Sequence, residues 1–432
     1  MFNTYKEAIS WIHGRLKFGV KPGLLRMEKL MEKLEHPEKN IRAIHVAGTN
    51  GKGSTVAFIR SVLQEAGYKV GTFTSPYIIT FNERISVNGT PISDEEWRTL
   101  VNDIKPIVDE LDKTDAGTVT EFEIITACAF LYFAKRADID FVIFEAGLGG
   151  TFDSTNIVNP LLSVITSIGH DHMAILGNTI EEIAGQKAGI IKNSIPVITG
   201  VNQPEALGVI EAEAEKKQAP YQSLYKTCRL FNEAALPSGE SFSLETETKT
   251  KCYENIQTSL IGIHQRQNAA LAILAAEWLN RLEAAAISEE AMRNGLKKAS
   301  WPGRFERLQS RPLVFADGAH NEEGVETLIE TIRQRFADKN VHVVFSALKD
   351  KPYQEMIKKL ETEADSIHFV SFDFPRASSA EALYNASSLA DKSFDENPDS
   401  VKEWIEQKDG ADDVIIITGS LYFISEMRKR LI

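Results

Sequence analysis

The sequence predicts an α/β protein in two parts, a larger domain built on a mostly parallel sheet and a smaller Rossmann-like α/β domain after it. Three observations predict this. Short apolar runs alternate with longer helical patterns, one of those runs passes through a glycine-rich loop straight into a helix, and Trp301-Pro302-Gly303-Arg304 breaks the pattern before a second alternation begins. The boundary is therefore placed between a domain of residues 1–300 and one of 301–432.

In the first part, strands are read over 41–47, 70–74, 140–145, 161–166 and 196–199. Helical patterns lie between them at 54–66, 93–111, 121–135, 180–191 and 204–217, with Ser93 and Glu96 forming a capping box for the second. Residues 80–92 contain Val87-Asn88-Gly89-Thr90 and read as a strand-and-turn insertion. Residues 227–263 carry short alternating segments and predict a small antiparallel patch, after which 264–281 and 288–299 return to helix. In the second part, strands fall at 313–316, 341–346, 367–371 and 414–418, and helices near 322–336, 352–361, 400–406 and 421–431.

The bulk numbers exclude several classes. A chain of 432 residues exceeds one compact core, and 43% apolar with 25% charged residues is ordinary for a globular protein. The net charge of −13, without a basic run, argues against nucleic-acid binding, so any anionic substrate must be held by local donors. Cys128, Cys228 and Cys252 are odd in number and lack metal spacing, which fits a reducing compartment. The N-terminus has no charged-then-apolar signal pattern, and no apolar run approaches the roughly 20 residues that span a bilayer. The expectation is a cytoplasmic protein with no membrane partner.

The loop Gly48-Thr49-Asn50-Gly51-Lys52-Gly53-Ser54 carries the chemistry. Glycines let backbone N–H groups converge on a phosphate, the following helix adds its positive end, and Lys52 reaches the terminal phosphates. The spacing departs from the common phosphate loop, because Gly53 separates Lys52 from the Ser54 hydroxyl. A nucleoside triphosphate needs Mg²⁺, which takes hard oxygen ligands. Glu145 ends the apolar strand Phe141-Val142-Ile143-Phe144, at the edge of a parallel sheet where ligands gather. The alternative for Glu145 is a solvated or helix-capping carboxylate. His170-Asp171-His172 and Asp317-Gly318-Ala319-His320-Asn321 each follow a strand, one cluster in each part, and suggest a cleft between domains. Taken alone, Lys187 reads as a solvated helix lysine.

Ordered along the chain, these motifs resemble the folylpolyglutamate synthase/dihydrofolate synthase family of the Mur ligase superfamily. The resemblance rests on residues 47–54, Thr74-Ser75-Pro76-Tyr77, Phe81-Asn82-Glu83-Arg84-Ile85, Glu145-Ala146-Gly147-Leu148-Gly149-Gly150 and Asp153-Ser154-Thr155-Asn156. It continues through Asp171-His172, Lys187-Ala188-Gly189, His264-Gln265 with Asn268, Pro302-Gly303-Arg304, residues 317–321 and Thr418-Gly419-Ser420. It implies a P-loop-containing, Mur-ligase-like central domain and a monomeric ATP-dependent ligase that joins L-glutamate to a folate or dihydropteroate carboxylate. Gly48, Thr49, Asn50, Gly51, Lys52, Gly53 and Ser54, with Asn268, Arg304 and Asp317, are the implied nucleotide-binding residues. Ser75, Glu145 and His172 are the implied Mg²⁺ ligands, and Lys187 matches a lysine that is carbamylated and helps hold a second Mg²⁺. Phe122, Glu123 and Phe152 are implied at the pterin, and Lys52, Lys187, Arg84 and His320 in catalysis.

One departure stands out: the family usually has arginine after this Gly-Gly, where the chain has Thr151. The change removes a charge and a bidentate donor, so a catalytically weakened nucleotide-binding homologue is one alternative. A dihydrofolate synthase alone is another. A peptidoglycan-type Mur ligase is expected to carry a UDP-sugar-binding domain before the loop, and only 47 residues precede Gly48. The presence of Ser75, Glu145 and His172 argues against a switch protein, and Asp317 with His320 argues against a P-loop kinase.

Overall fold

In a computed structural model, which describes residues 1–19, 21–136, 138–246 and 251–432, the chain forms two compact units. One comprises residues 1–230, 244–253 and 268–299; the other comprises 231–243, 254–267 and 300–432.

The first unit is built on eight strands: β1 Ala43–Ala47, β2 Val70–Phe73, β3 Ile85–Val87, β4 Thr90–Pro91, β5 Phe141–Glu145, β6 Leu162–Ile165, β7 Val197–Thr199 and β8 Tyr221–Ser223. Their order is β4-β3-β2-β5-β1-β6-β7-β8. Pairing is parallel from β2 through β8 and antiparallel only for the insertion β3–β4. Every residue of β1, β2, β5, β6 and β7 is buried, as expected for strands covered on both faces. The register puts Phe73, Phe144, Ala47, Ile165 and Val197 on one face. That face packs on helices Asp94–Leu111 and Glu121–Ala134 through Trp97, Val101, Phe130 and Phe133 and, further along the sheet, on Ile180–Ala188 and Pro204–Lys216 through Ile183, Leu207 and Ile210. Helix Lys52–Glu65 also packs on β1, β2 and β5.

Strands β9 Cys228–Leu236, β10 Gly239–Thr246 and β11 Cys252–Thr258 form a three-stranded sheet where the patch over 227–263 is expected; residues 247–250 of that patch lie outside the described residues. In the second unit, Glu240 of β10 is fully buried and accepts from Arg266 Nη2 at 2.7 Å, from Gly262 N at 3.0 Å and from the Arg335 guanidinium. A buried carboxylate shared by two guanidiniums avoids the cost of an uncompensated charge and ties residues 231–243 and 254–267 to helix Glu322–Phe336.

The second unit's sheet has β12 Glu306–Ser310, β13 Leu313–Ala316, β14 Asn340–Phe345, β15 Ser366–Val370, β16 Lys392–Asp395 and β17 Asp413–Thr418, in the order β12-β13-β17-β14-β15-β16. All pairs are parallel except β12–β13. Period-two alternation divides each central strand between two cores: Val414 and Ile416 face one, Ile415 and Ile417 the other. Among the described residues no helix is long and apolar enough to cross a membrane.

The surrounding protein disfavours the charged form of three histidines, His45 and His368 buried and His264 half-buried. Burial pushes His45 down to about 3, aided by the nearby Lys192 charge, and pushes His264 and His368 down to about 4. In the unfolded chain they titrate near the ordinary 6.5. Between the two values the unfolded state binds more protons, so stability falls as pH drops below about 6.5. Each histidine lowers stability by up to about 2 kcal/mol at pH 5. Thermal unfolding is expected at a lower temperature at pH 5 than at pH 7, with a shallower dependence in His45→Gln. An unchanged midpoint between those pH values would refute this.

Candidate active site

The parallel pairing sets four loops side by side. β2, β5, β1 and β6 are adjacent, with Phe73 opposite Phe144, Val46 opposite Glu145 and Ala47 opposite Ile165. The C-terminal ends of these strands lead into Thr74-Ser75, Glu145 and the glycine loop that follows it, the Gly48–Ser54 loop, and Thr166–His172. Ligands gather at this edge of such sheets.

The Gly48–Ser54 loop is held in shape by residues after β6 that sequence reasoning did not single out. Thr166 Oγ1 donates to Asn50 O at 2.6 Å, Ser167 Oγ to the same carbonyl at 3.0 Å, and Asn50 N to Ser167 Oγ at 2.9 Å. Thr49 N donates to Ser167 O at 2.8 Å, and Gly169 N donates to Thr49 Oγ1 at 2.9 Å. The only available signal was small hydroxyl residues directly after a strand, which is common in loops. Gly51 sits at φ 83°, where side chains are strained, and a Cβ there would lie 2.4 Å from Asn268 Oδ1. Asn268 is thereby placed against the loop.

Helix Lys52–Glu65 starts at Gly51 with no side-chain cap, so its positive end faces the loop. Ser54 is buried in its first turn, and Lys52 Nζ donates to Gly48 O at 2.9 Å and Thr49 O at 3.0 Å. An ammonium beside an uncapped helix start is an arrangement suited to an anion.

Beside it, Glu145 is only 4% exposed, which removes the solvated-carboxylate alternative. Its Oε2 accepts from Ser75 N at 3.2 Å. A buried carboxylate and a nearby serine offer hard oxygens, the kind of donor that Mg²⁺ takes. His172 stands in the neighbouring loop, exposed, with left-handed φ 52° and Nε2 3.9 Å from Asp171 Oδ2. Among the described residues no group of three or more His, Cys, Asp or Glu side chains gathers at metal-binding range.

Arg84 lies 5.4 Å from the ring centres of both Tyr77 and Phe81, and the capping carboxylate of Glu83 gathers Ile78, Ile79 and Thr80 N–H groups into one turn. Phe122 packs on the glycine loop, where a Cβ on Gly147 would come within 2.4 Å of its ring. Phe152 is 52% exposed. Glu123 behaves differently. It is buried, with Oε1 accepting from Arg26 Nε at 2.8 Å and Oε2 from Thr120 N at 2.7 Å, so its visible work is to cap helix Glu121–Ala134.

Lys187 lies in the last turn of helix Ile180–Ala188 and is 4% exposed. The solvated reading of this lysine is therefore incorrect. The helix is also shorter than the expected 180–191, because the turn at Gly189 is bound by the loop after β5.

In the second unit, the loop after β13 is organised around Asp317, whose two oxygens accept from Phe305 N and Ala319 N, each at 2.9 Å. Burial pushes its carboxyl up, against the opposing pull of Arg304 and those N–H groups. Gly318 leaves room for Arg304, whose Nη1 would lie 2.4 Å from a Cβ there. His320 Nδ1 is 2.7 Å from Gly318 O, so Nδ1 carries a proton and donates it to that carbonyl.

The chain matches the Mur ligase middle domain over residues 46–276 and the Mur ligase glutamate ligase domain over 303–421. It is 70% identical over 431 residues to the dihydrofolate synthase/folylpolyglutamate synthase of Bacillus subtilis (strain 168), covering all of both chains. Among solved structures it resembles Mycobacterium tuberculosis folylpolyglutamate synthase complexed with ADP, with TM-score 0.91 and 30% identity over 99% of this chain and 98% of that one. It also resembles an FPGS-AMPPCP-folate complex, with TM-score 0.85 and 32% identity over 99% of this chain and 100% of that one.

If the Gly48–Ser54 loop is the phosphate cradle, Gly51→Ala cannot keep both its left-handed backbone and its contact with Asn268. Calorimetry with a non-hydrolysable ATP analogue is expected to show affinity lower by about tenfold or more. Wild-type affinity in this variant would remove the loop from the nucleotide site.

Proposed function

The chain belongs to the folylpolyglutamate synthase/dihydrofolate synthase family of Mur ligases, ATP-dependent enzymes that ligate glutamate, and on that premise we propose that it carries both family activities. It adds L-glutamate to dihydropteroate and extends the γ-linked glutamate chain of tetrahydrofolate. The observation that carries the ligase reading is the cradle, Ser75 and Glu145 at one edge of the parallel sheet. The double name of the 70% identical relative supports the dual substrate.

The acceptor's carboxylate attacks the γ-phosphorus of ATP, the γ-phosphate passes to the carboxylate oxygen, and ADP leaves. Lys52 and the loop N–H groups take up the charge that develops on the phosphate oxygens, which is most of what phosphoryl transfer asks of a protein. The α-amino group of glutamate then attacks the acyl carbon, and the intermediate collapses to amide with loss of inorganic phosphate and a proton. Ser75, Glu145 and His172 would hold Mg²⁺, whose charge offsets that of the triphosphate. We assign Asn268, Arg304 and Asp317 to the nucleotide. Phe122 and Phe152 are assigned to the pterin wall, with Glu123 supporting that wall by fixing the start of its helix. Arg84 and His320 are assigned to the acyl-transfer step. Lys187, buried at the end of its helix, is assigned as the carbamylated lysine, a carboxylate in place of an ammonium, toward a second Mg²⁺.

Phosphate release is expected with ATP and glutamate when either dihydropteroate or tetrahydrofolate is supplied. Turnover without glutamate would sink the ligase reading; turnover with only one acceptor would sink the dual one. Glu145→Gln is expected to lower kcat/KM by about 100-fold, since removing one well-placed charge-stabilising group costs about 3 kcal/mol. Near-wild-type kinetics in that variant would free Glu145 from the site.

A further inference from the structure

The end of the Lys187 helix is closed by another part of the chain. A helix leaves its last carbonyls without partners, and a glycine in left-handed conformation usually follows to satisfy them. Here Gly189 has φ −59° and ψ −13°, a right-handed conformation, and its N–H turns back to Lys187 O. Two further carbonyls of this turn are met by residues 151 and 156. Thr151 N and Thr151 Oγ1 both donate to Gln186 O, at 2.7 and 3.1 Å. Asn156 Nδ2 donates to Gly189 O at 3.0 Å and to Thr151 O at 3.1 Å.

The fit is close on both sides. A Cβ on Gly189 would lie 2.1 Å from Thr151 Oγ1, and one on Gly150 would lie 2.6 Å from Gln186 O and 2.9 Å from Lys187 O. The clamping loop is itself rigid: Asp153 Oδ2 accepts from Leu148 N at 2.7 Å, and Asp153 Oδ1 from Thr155 N at 3.0 Å. This loop continues directly from Glu145.

We infer that Thr151, together with Asn156, is a positioning residue for catalysis: it caps the Lys187 turn from outside and sets that lysine relative to the Glu145 loop. The inference rests on the assignment of Lys187 made above. It gives the departure at position 151 a function. The threonine hydroxyl is the second donor to Gln186 O, within a gap that two glycines keep open.

The test is steady-state kinetics of the full chain in Thr151→Val, Thr151→Ser, Gly189→Ala, Lys187→Ala and the Thr151→Val/Lys187→Ala double variant, with thermal unfolding on each. Thr151→Val is expected to lower kcat about tenfold while KM for ATP stays within about twofold, because the phosphate loop is untouched. Thr151→Ser keeps the hydroxyl and is expected to restore kcat to within about twofold of wild type. Gly189→Ala wedges the same contact and is expected to behave like Thr151→Val, which keeps the inference testable should one variant fail to fold. In the double variant the loss is expected to equal that of Lys187→Ala alone, because a residue acting through Lys187 has nothing left to position. Losses that multiply in the double variant, or a serine variant no better than valine, overturn the inference and leave the ligase reading standing. A Lys187→Ala enzyme with wild-type kcat removes the premise and the inference together.

Discussion

The candidate site depends on β1 being paired in parallel on both of its edges. With β5 on one side and β6 on the other, the register Val46–Glu145 and Ala47–Ile165 brings a buried carboxylate and a hydroxyl-lined loop to either side of the glycine loop. A slip of one residue would reverse the face on which every strand side chain points. Every residue of these strands is buried, with Phe73, Phe144, Ile165 and Val197 on one face and their neighbours in sequence on the other, so such a slip would repack both faces and is costly. The geometry of the phosphate cradle is thus set by the packing of Phe144, Ile165 and their neighbours, well before any polar residue contributes.

Polar contacts then refine what register places. The hydrogen bonds of Thr166 and Ser167 to Asn50 fix the glycine loop in an open cradle, and Gly51 bears the conformational cost of bringing Asn268 against it. In the second unit the same device recurs with different letters. Asp317 gathers two backbone N–H groups, and Gly318 opens space for Arg304. In both places a glycine admits a side chain from elsewhere, and backbone N–H or carbonyl groups help to hold the loop. This suits a chain of net charge −13, in which an anionic substrate has to be met by converging N–H groups and a few placed cations.

Legibility in the sequence divides along the same line. The core strands between residues 41 and 199 were readable to within two residues, because strands buried on both faces are continuous apolar runs. The edge strands β12 and β16 were not readable: Glu306–Ser310 and Lys392–Asp395 are largely uncovered, so no hydrophobic period marks them. Helices Tyr5–His13 and Leu25–Lys33 were missed although both are amphipathic, because their charged faces and short length hide the apolar spacing of Ala8, Ile9 and Ile12 or Met27, Leu30 and Met31. Residue type and strand-end position were enough to single out Lys52, Glu145 and Asp317 as candidates. They were insufficient for Lys187 and Thr166, whose relevance comes from the parts of the chain that fold over them. Burial of a helix-end lysine is a tertiary fact that no local window contains.

Thr151 stands where the resemblance drawn from the sequence leads one to expect arginine. Counted as charge, the exchange of arginine for threonine is a loss. In three dimensions the position touches Gln186 and Gly189, and the relevant quantity is how many donors reach a helix-end carbonyl through a gap of about one hydroxyl's width. Threonine meets that need with a backbone N–H and a β-hydroxyl at the same carbonyl. A longer side chain would have to leave the gap, and its charge would act elsewhere. The sequence registers only the interaction that arginine would have made, whereas the structure supplies a different interaction at the same place. Whether a substitution weakens an enzyme is decided by the partners its new side chain finds, and here those partners lie on the turn that carries Lys187.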